Sequence, residues 1–157
     1  MKKKVLFISS TGGHLSELLQ LEPLFKEYDS YLVTEKTKST IELRNKFTNR
    51  VHFLVYGTKS HLITYLFKFG FNIVKSLLLM LVIRPQVVVT TGTHTAVPMC
   101  YIAKILRRKV IFIETFANSK TRTKAGNLVY PIADVFIVQW ESMLELYPKA
   151  IYGGWIY

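Results

Sequence analysis

Two stretches of this chain put threonine, glycine and histidine where a strand hands over to a helix. The first is "SSTGGHL" at 9–15, which follows "KVLFI" and leads into a helical pattern. Gly12 and Gly13 open backbone conformations denied to other residues and let a ligand come close, and Thr11 adds a hydroxyl. The free N–H groups and partial positive charge of a helix start suit a phosphate. His14 stands at that start and could move a proton near neutral pH. The local alternative is a tight turn capped by Thr11 or Ser16. The stretch is neither a P-loop nor G-x-G-x-x-G, so a dinucleotide is disfavoured.

The second stretch is "VVVTTGTHTAVP" at 87–98, which offers Thr91, Gly92, Thr93 and His94, with Pro98 in the first turn of the next helix. If the two strands are neighbours, both loops line one crevice; otherwise they are unrelated turns. A third strand end reads "IETFANS" at 113–119. Glu114 closes an apolar run and could bind sugar hydroxyls or accept a proton, with Asn118 in the loop beyond; the alternative is a solvated helix cap. Lys120, Arg122 and Lys124 follow in "SKTRTKAGN", a basic loop able to hold a diphosphate or simply to be solvated. No residue is assigned to a metal.

These residues need a scaffold that gathers strand ends. Apolar runs rich in Val, Ile and Phe predict strands at 4–9, 30–34, 51–55, 86–91, 109–114 and 134–139. Helical patterns lie between them at 14–26, 36–48, 60–83, 95–107, 121–131 and 141–147. This alternation predicts an α/β, Rossmann-like parallel sheet in one domain over 1–157, with ligands beyond the carboxyl ends of the strands.

Composition narrows the partners. The 157 residues carry 21 Lys+Arg against 10 Asp+Glu, a formal net charge of +11, which favours an anionic partner. Half the residues are hydrophobic, which excludes a disordered chain. The aromatics lie mostly in apolar segments and no nucleic-acid motif occurs, so nucleic acid is not the expected partner. The lone Cys100, in "VPMCYIAKIL", reads as a buried, inert thiol. "MKKKVLFIS" is too short in its apolar part for an export signal and reads as a first strand.

Residues 62–83, "LITYLFKFGFNIVKSLLLMLVI", are long enough to cross a bilayer, but Lys68, Asn72 and Lys75 interrupt them. At 100° per residue these three fall on one narrow face with His61 and Thr64. Two lysines in mid-bilayer would cost several kcal/mol. The expected state is a helix partly packed on the sheet, its remaining apolar surface at the membrane interface, with Tyr65, Phe67, Phe69 and Phe71 contacting an anionic membrane surface. The alternative is an ordinary long core helix.

"FISSTGGHLSELLQL", "RPQVVVTTGTHTAVPMCYIAK", "VIFIETFANSKTRTKAGNLVYPIADVFIVQWES" and the terminal "YGGWIY" together resemble the acceptor-side subunits of split GT-B glycosyltransferases. These include PssD/CpsF-type polysaccharide "enhancer" proteins and the membrane-anchor subunit of the two-chain N-glycan UDP-GlcNAc transferase; the N-terminal domain of MurG is a more distant likeness. The resemblance implies one N-terminal-type half of a GT-B enzyme, with the other half in a separate catalytic subunit that binds the UDP-sugar donor. No cofactor is then expected in this chain. It implies a polyprenyl-diphosphate-linked saccharide as acceptor, facing Gly12, Gly13 and His14, with Thr91, Gly92, Thr93 and His94 on the same pocket. It makes His14 the candidate base and matches Glu114 to the carboxylate of MurG-like proteins, Asn118 more loosely. The expected setting is bacterial capsular or exopolysaccharide synthesis, peripheral on the cytoplasmic membrane face. The eukaryotic anchor subunit begins with a transmembrane helix and this chain begins with a strand, so attachment is expected through 62–83 or the partner.

The C-terminal "KAIYGGWIY" has no evident core role in the sequence, and Trp155, Ile156 and Tyr157 read as anchors for the partner subunit. Two other function classes stay open: a non-catalytic membrane scaffold for the partner, and a nucleic-acid-binding module revealed by salt-dependent binding.

Overall fold

The computed structural model describes residues 2–57 and 62–156. Seven strands form one fully parallel sheet in the order β3-β2-β1-β4-β5-β6-β7. They are β1 (Lys4–Ile8), β2 (Asp29–Glu35), β3 (Val51–Leu54), β4 (Val87–Thr90), β5 (Lys109–Ile113), β6 (Val135–Val138) and β7 (Ile151–Tyr152). The helices are α1 (Gly13–Gln20), α2 (Glu22–Glu27), α3 (Leu43–Phe47), α4 (Leu62–Ile83), α5 (Val97–Ile105), α6 (Lys124–Val129) and α7 (Met143–Leu146). The expected Rossmann-like sheet is present.

The middles of β1, β2, β4 and β5 are apolar because both faces of the sheet are covered there. In β1 the pleat sends Leu6 and Ile8 into one core with Met80, Met99, Cys100 and Phe112. Val5 and Phe7 point the other way, into a second core with Leu18, Leu21 and Leu32. Burial pushes the Cys100 thiol up to about 12, as expected of an inert cysteine.

The strand order reverses between β1 and β4, the place where open α/β sheets bind ligands. Val5 pairs with Val87 and Ile8 with Thr90, so the "TGGH" and "TTGTH" stretches leave the sheet side by side. The condition for a shared crevice is met.

Several elements differ from the sequence-based expectation. The helix expected over 14–26 breaks at Leu21, because Pro23 lacks the N–H that would continue the ladder. The helix expected over 36–48 shrinks to α3: the hydroxyls of Thr37 and Thr40 take up local backbone groups and hold a turn instead. The tail does have a structural role. Ile151 pairs with Ile137 and Tyr152 with Val138 as an edge strand, and Ile156 packs against the second core.

Helix α4 is about 33 Å long at 1.5 Å per residue, and its amphipathicity is inverted. Its protein-facing side carries Met80 and Ile83 but also Asn72, which is buried and bonded twice to the backbone of Val55. Its outward side carries Ile63, Leu66, Phe67, Phe71, Val74, Leu78, Leu81 and Val82, all exposed. Only 22% of its most apolar window is buried, so the ordinary core helix is not what forms. Lys68 and Lys75 are half-buried, Thr64 is exposed, and His61 lies outside the described residues.

Candidate functional site

Hydrogen bonds lock the two glycine loops together. The carbonyl of Thr91 accepts from His14 Nδ1 at 2.8 Å, and Thr91 Oγ1 donates back to the His14 carbonyl at 2.7 Å. The Ser10 N–H donates to the Gly92 carbonyl at 3.2 Å. A carbonyl can only accept, so Nδ1 carries a hydrogen; of the two uncharged tautomers this bond selects the one with its lone pair on Nε2. That is the tautomer a general base requires.

Glycine is required at two positions here. Gly12 caps α1 at φ 79°, and Gly92 has φ 97°. In both, an L side chain would be strained. A Cβ on Gly92 would also touch the His14 ring at 3.5 Å. Neither Thr11 nor Ser16 caps α1 through its side chain.

The loops open onto a cavity of about 340 Å³. His14, Thr91, Gly92, Thr93, His94 and Glu114 line it together, although they come from three separate strand ends. Thr123 and Lys124, at the start of α6, line it too. The near wall comes from the apolar helix: Tyr65 and Phe69 face the cavity, their rings 6.0 Å apart, with Tyr65 5.9 Å from the His94 ring. The four aromatics of α4 thus divide. Tyr65 and Phe69 turn to the cavity, and Phe67 and Phe71 are exposed on the outer surface.

Thr11, Gly12, Gly13 and Asn118 do not line this cavity. Asn118 instead accepts from the N–H and hydroxyl of Thr121, which shapes the basic loop. Within that loop Lys120 is exposed, and Arg122 bonds the Leu146 carbonyl and stacks on Tyr147.

Glu114 is only 2% exposed, so it is not a solvated cap. Its carboxylate accepts from the Thr115 N–H, the Thr123 hydroxyl and the Tyr147 hydroxyl. Thr123 in turn caps α6 by accepting from the Gly126 N–H at 2.9 Å. Burial raises the Glu114 carboxyl above its ordinary range, with these hydrogen bonds pulling the other way. Burial and the neighbouring Glu114 likewise raise the Tyr147 phenol.

Two carboxylates escaped the sequence reading. Glu35 ends β2 and is 3% exposed. Its Oε2 accepts from the Thr11 N–H and hydroxyl, both at 3.2 Å, and its Oε1 from the Thr95 hydroxyl at 2.7 Å. It therefore clamps the first glycine loop to the second. Glu17 accepts from the Thr115 hydroxyl and the Phe116 N–H, tying α1 to the end of β5, with its Oε2 3.9 Å from His14 Nδ1. A carboxylate closing an apolar strand was the signal that singled out Glu114, and "YLVTE" carries it too.

Beyond the ends of β5 and β6, the Phe116 ring packs against Trp140, at 4.7 Å, and Trp155, at 5.1 Å. Trp155 remains 75% exposed. Tyr157 lies outside the described residues.

A family model described as "Oligosaccharide biosynthesis protein Alg14 like" matches residues 5–156. Relatives named UDP-N-acetylglucosamine transferase subunit ALG14 include that of mouse, 28% identical over 96% of this chain and 82% of its own length. The human protein is 35% identical over 46% of this chain and 36% of its own length. That of Yarrowia lipolytica is also 35% identical, over 45% and 36%. The chain thus aligns to about a third of the length of several such relatives. Among solved structures, Acinetobacter baumannii MurG superposes with a TM-score of 0.72 at 16% identity, covering 89% of this chain and 42% of MurG. A UDP-bound Staphylococcus aureus MnaA gives 0.71 at 14%, covering 98% and 43%. These likenesses establish the fold.

Proposed function

The chain belongs to the Alg14-like family of oligosaccharide biosynthesis proteins, and from that membership we propose that it is the acceptor-side subunit of a two-chain, UDP-sugar-dependent hexosyltransferase. A separate GT-B C-terminal-type subunit binds the UDP-sugar, and this chain holds a polyprenyl-diphosphate-linked saccharide. The observation that carries the reading is the cavity itself. One wall is Gly92, threonine hydroxyls and His14; the other is Tyr65 and Phe69 of α4, whose opposite side is an exposed apolar surface. A ligand with a diphosphate and a greasy tail uses both walls.

In the proposed reaction the acceptor hydroxyl attacks the anomeric carbon, the bond to UDP breaks, and Nε2 of His14 takes the hydroxyl proton. The bond from Nδ1 to the Thr91 carbonyl holds the ring in the required tautomer. Lys124 at the cavity edge supplies positive charge for the acceptor diphosphate. Glu114, its oxygens committed to Thr115, Thr123 and Tyr147, shapes the cavity. The helix α4 lies at the cytoplasmic membrane face with its apolar side in the interface. Resemblance to PssD/CpsF-type proteins supports a setting in bacterial capsular or exopolysaccharide synthesis.

The internal commitment of Glu114 also favours a second reading, a scaffold that only anchors and activates its partner. His14→Ala in the reconstituted complex separates the two. Loss of a general base lowers turnover by about 100-fold or more; turnover within about threefold of the native complex leaves only the scaffold. The chain alone is expected to transfer no sugar, and full activity without a partner would refute the two-chain proposal.

A further inference from the structure

A second cavity, of about 440 Å³, lies at the sheet edge away from the glycine loops. It is lined by β3 together with Lys36, Arg44, His52, Tyr56 and Lys75. No carboxylate lines it. Among the described residues, neither Lys36, Arg44 nor Lys75 forms an ion pair. Arg44 lies over the Phe53 ring at 5.2 Å, and Lys75 over the Phe71 ring at 6.0 Å. Burial holds the His52 imidazole below its ordinary value, and Lys75 and Arg44 add to that effect. The cavity is therefore electropositive, and it is built for a ligand that brings negative charge.

Its position identifies the ligand's other end. Lys75 leaves α4 one turn after Phe71, which is exposed on the outward apolar surface. That surface runs the length of the helix, from Ile63 to Val82. We propose that this cavity binds the phosphate headgroup of an anionic phospholipid while the acyl chains lie along α4. The site is separate from the His14 cavity, and it fixes how the chain sits on the bilayer. The inference rests on the membrane placement proposed above.

Flotation of the full chain with vesicles tests it, using phosphatidylcholine alone and phosphatidylcholine mixed with phosphatidylglycerol. Two basic side chains at an anionic surface contribute ~1 kcal/mol each, so Arg44→Gln/Lys75→Gln is expected to weaken binding to the mixed vesicles about 30-fold. Lys3→Gln/Lys26→Gln removes the same charge elsewhere and is expected to stay within about threefold of native. Should the double variant fold poorly, Lys36→Gln, at an exposed position, is expected to weaken binding about fivefold. Equal losses in the pocket and control variants would overturn the site in favour of diffuse charge. Unchanged binding in the pocket variants would also overturn it. So would inorganic phosphate shifting the His52 resonances in that last case, since the pocket would then be a free-phosphate site. If the native chain binds neither vesicle, the membrane placement fails as well; if it binds and the pocket variants match it, only this inference fails.

Discussion

Asn72→Ala should loosen the packing of the apolar helix on the sheet. Asn72 is 7% exposed, and its amide makes two bonds to one residue: Oδ1 accepts from the Val55 N–H and Nδ2 donates to the Val55 carbonyl, both at 2.8 Å. Each such bond contributes about 0.5–1.5 kcal/mol net. Val55 is half-buried, so water reaches its freed groups and the penalty for orphaning them stays at the low end of about 1–3 kcal/mol. The expected loss is about 2 kcal/mol, or a melting point lowered by roughly 4–8 °C for a chain of this size. Hydrogen exchange gives a local readout: the Val55 amide should exchange about 30-fold faster, with the β1 amides following only the global change. A melting point unchanged within about 1 °C, together with an unaltered Val55 amide, would refute the docking of α4 through its polar side.

Gly126→Ala places a Cβ 2.3 Å from Glu114 Oε2 and 2.4 Å from Tyr147 Oη; a loss of about 1–3 kcal/mol is expected on chemical denaturation. Gly70→Ala, with nothing within 4 Å of its Cβ, is expected to stabilise by up to about 1 kcal/mol in the same assay. Partial burial opposes ionisation of Asp134, but bonds from Lys104, the Val110 N–H and Lys109 outweigh it and hold the carboxyl at about 2 against an ordinary 3.8. Its contribution is present above pH 3.8 and lost as pH falls through about 2, so Asp134→Asn should cost about 1 kcal/mol after screening at neutral pH and nothing at the acid end of a denaturation series. Deleting 153–157 removes the exposed Trp155 and should abolish co-purification with the partner subunit; unchanged association would place the interface elsewhere.

The sheet was legible because buried parallel strands announce themselves as short apolar runs. The edge strand β7 escaped because it has two residues, both exposed, with no apolar run to mark it. The break at Leu21 had a visible cause in Pro23, which the apolar periodicity of 14–26 outweighed. That the two glycine loops lie side by side was legible from their likeness and needed only the adjacency of β1 and β4; that Gly12 and Gly13 stay off the cavity lining was not. The clamp by Glu35 was not, since Thr11 is 24 residues away and Thr95 is 60; only the fold brings them together. For α4 the angular arithmetic located the polar face. The division of its aromatics between cavity and exterior depended on contacts that no periodicity encodes.

Photo-crosslinking tests the central claim most directly. A benzophenone side chain replaces Leu128, which lines the His14 cavity and is itself exposed, and the complex is irradiated with a labelled polyprenyl-diphosphate saccharide. The account predicts label on this chain, lost on competition with unlabelled acceptor and absent when the benzophenone replaces the exposed Lys3 instead. Label confined to the partner subunit would contradict it.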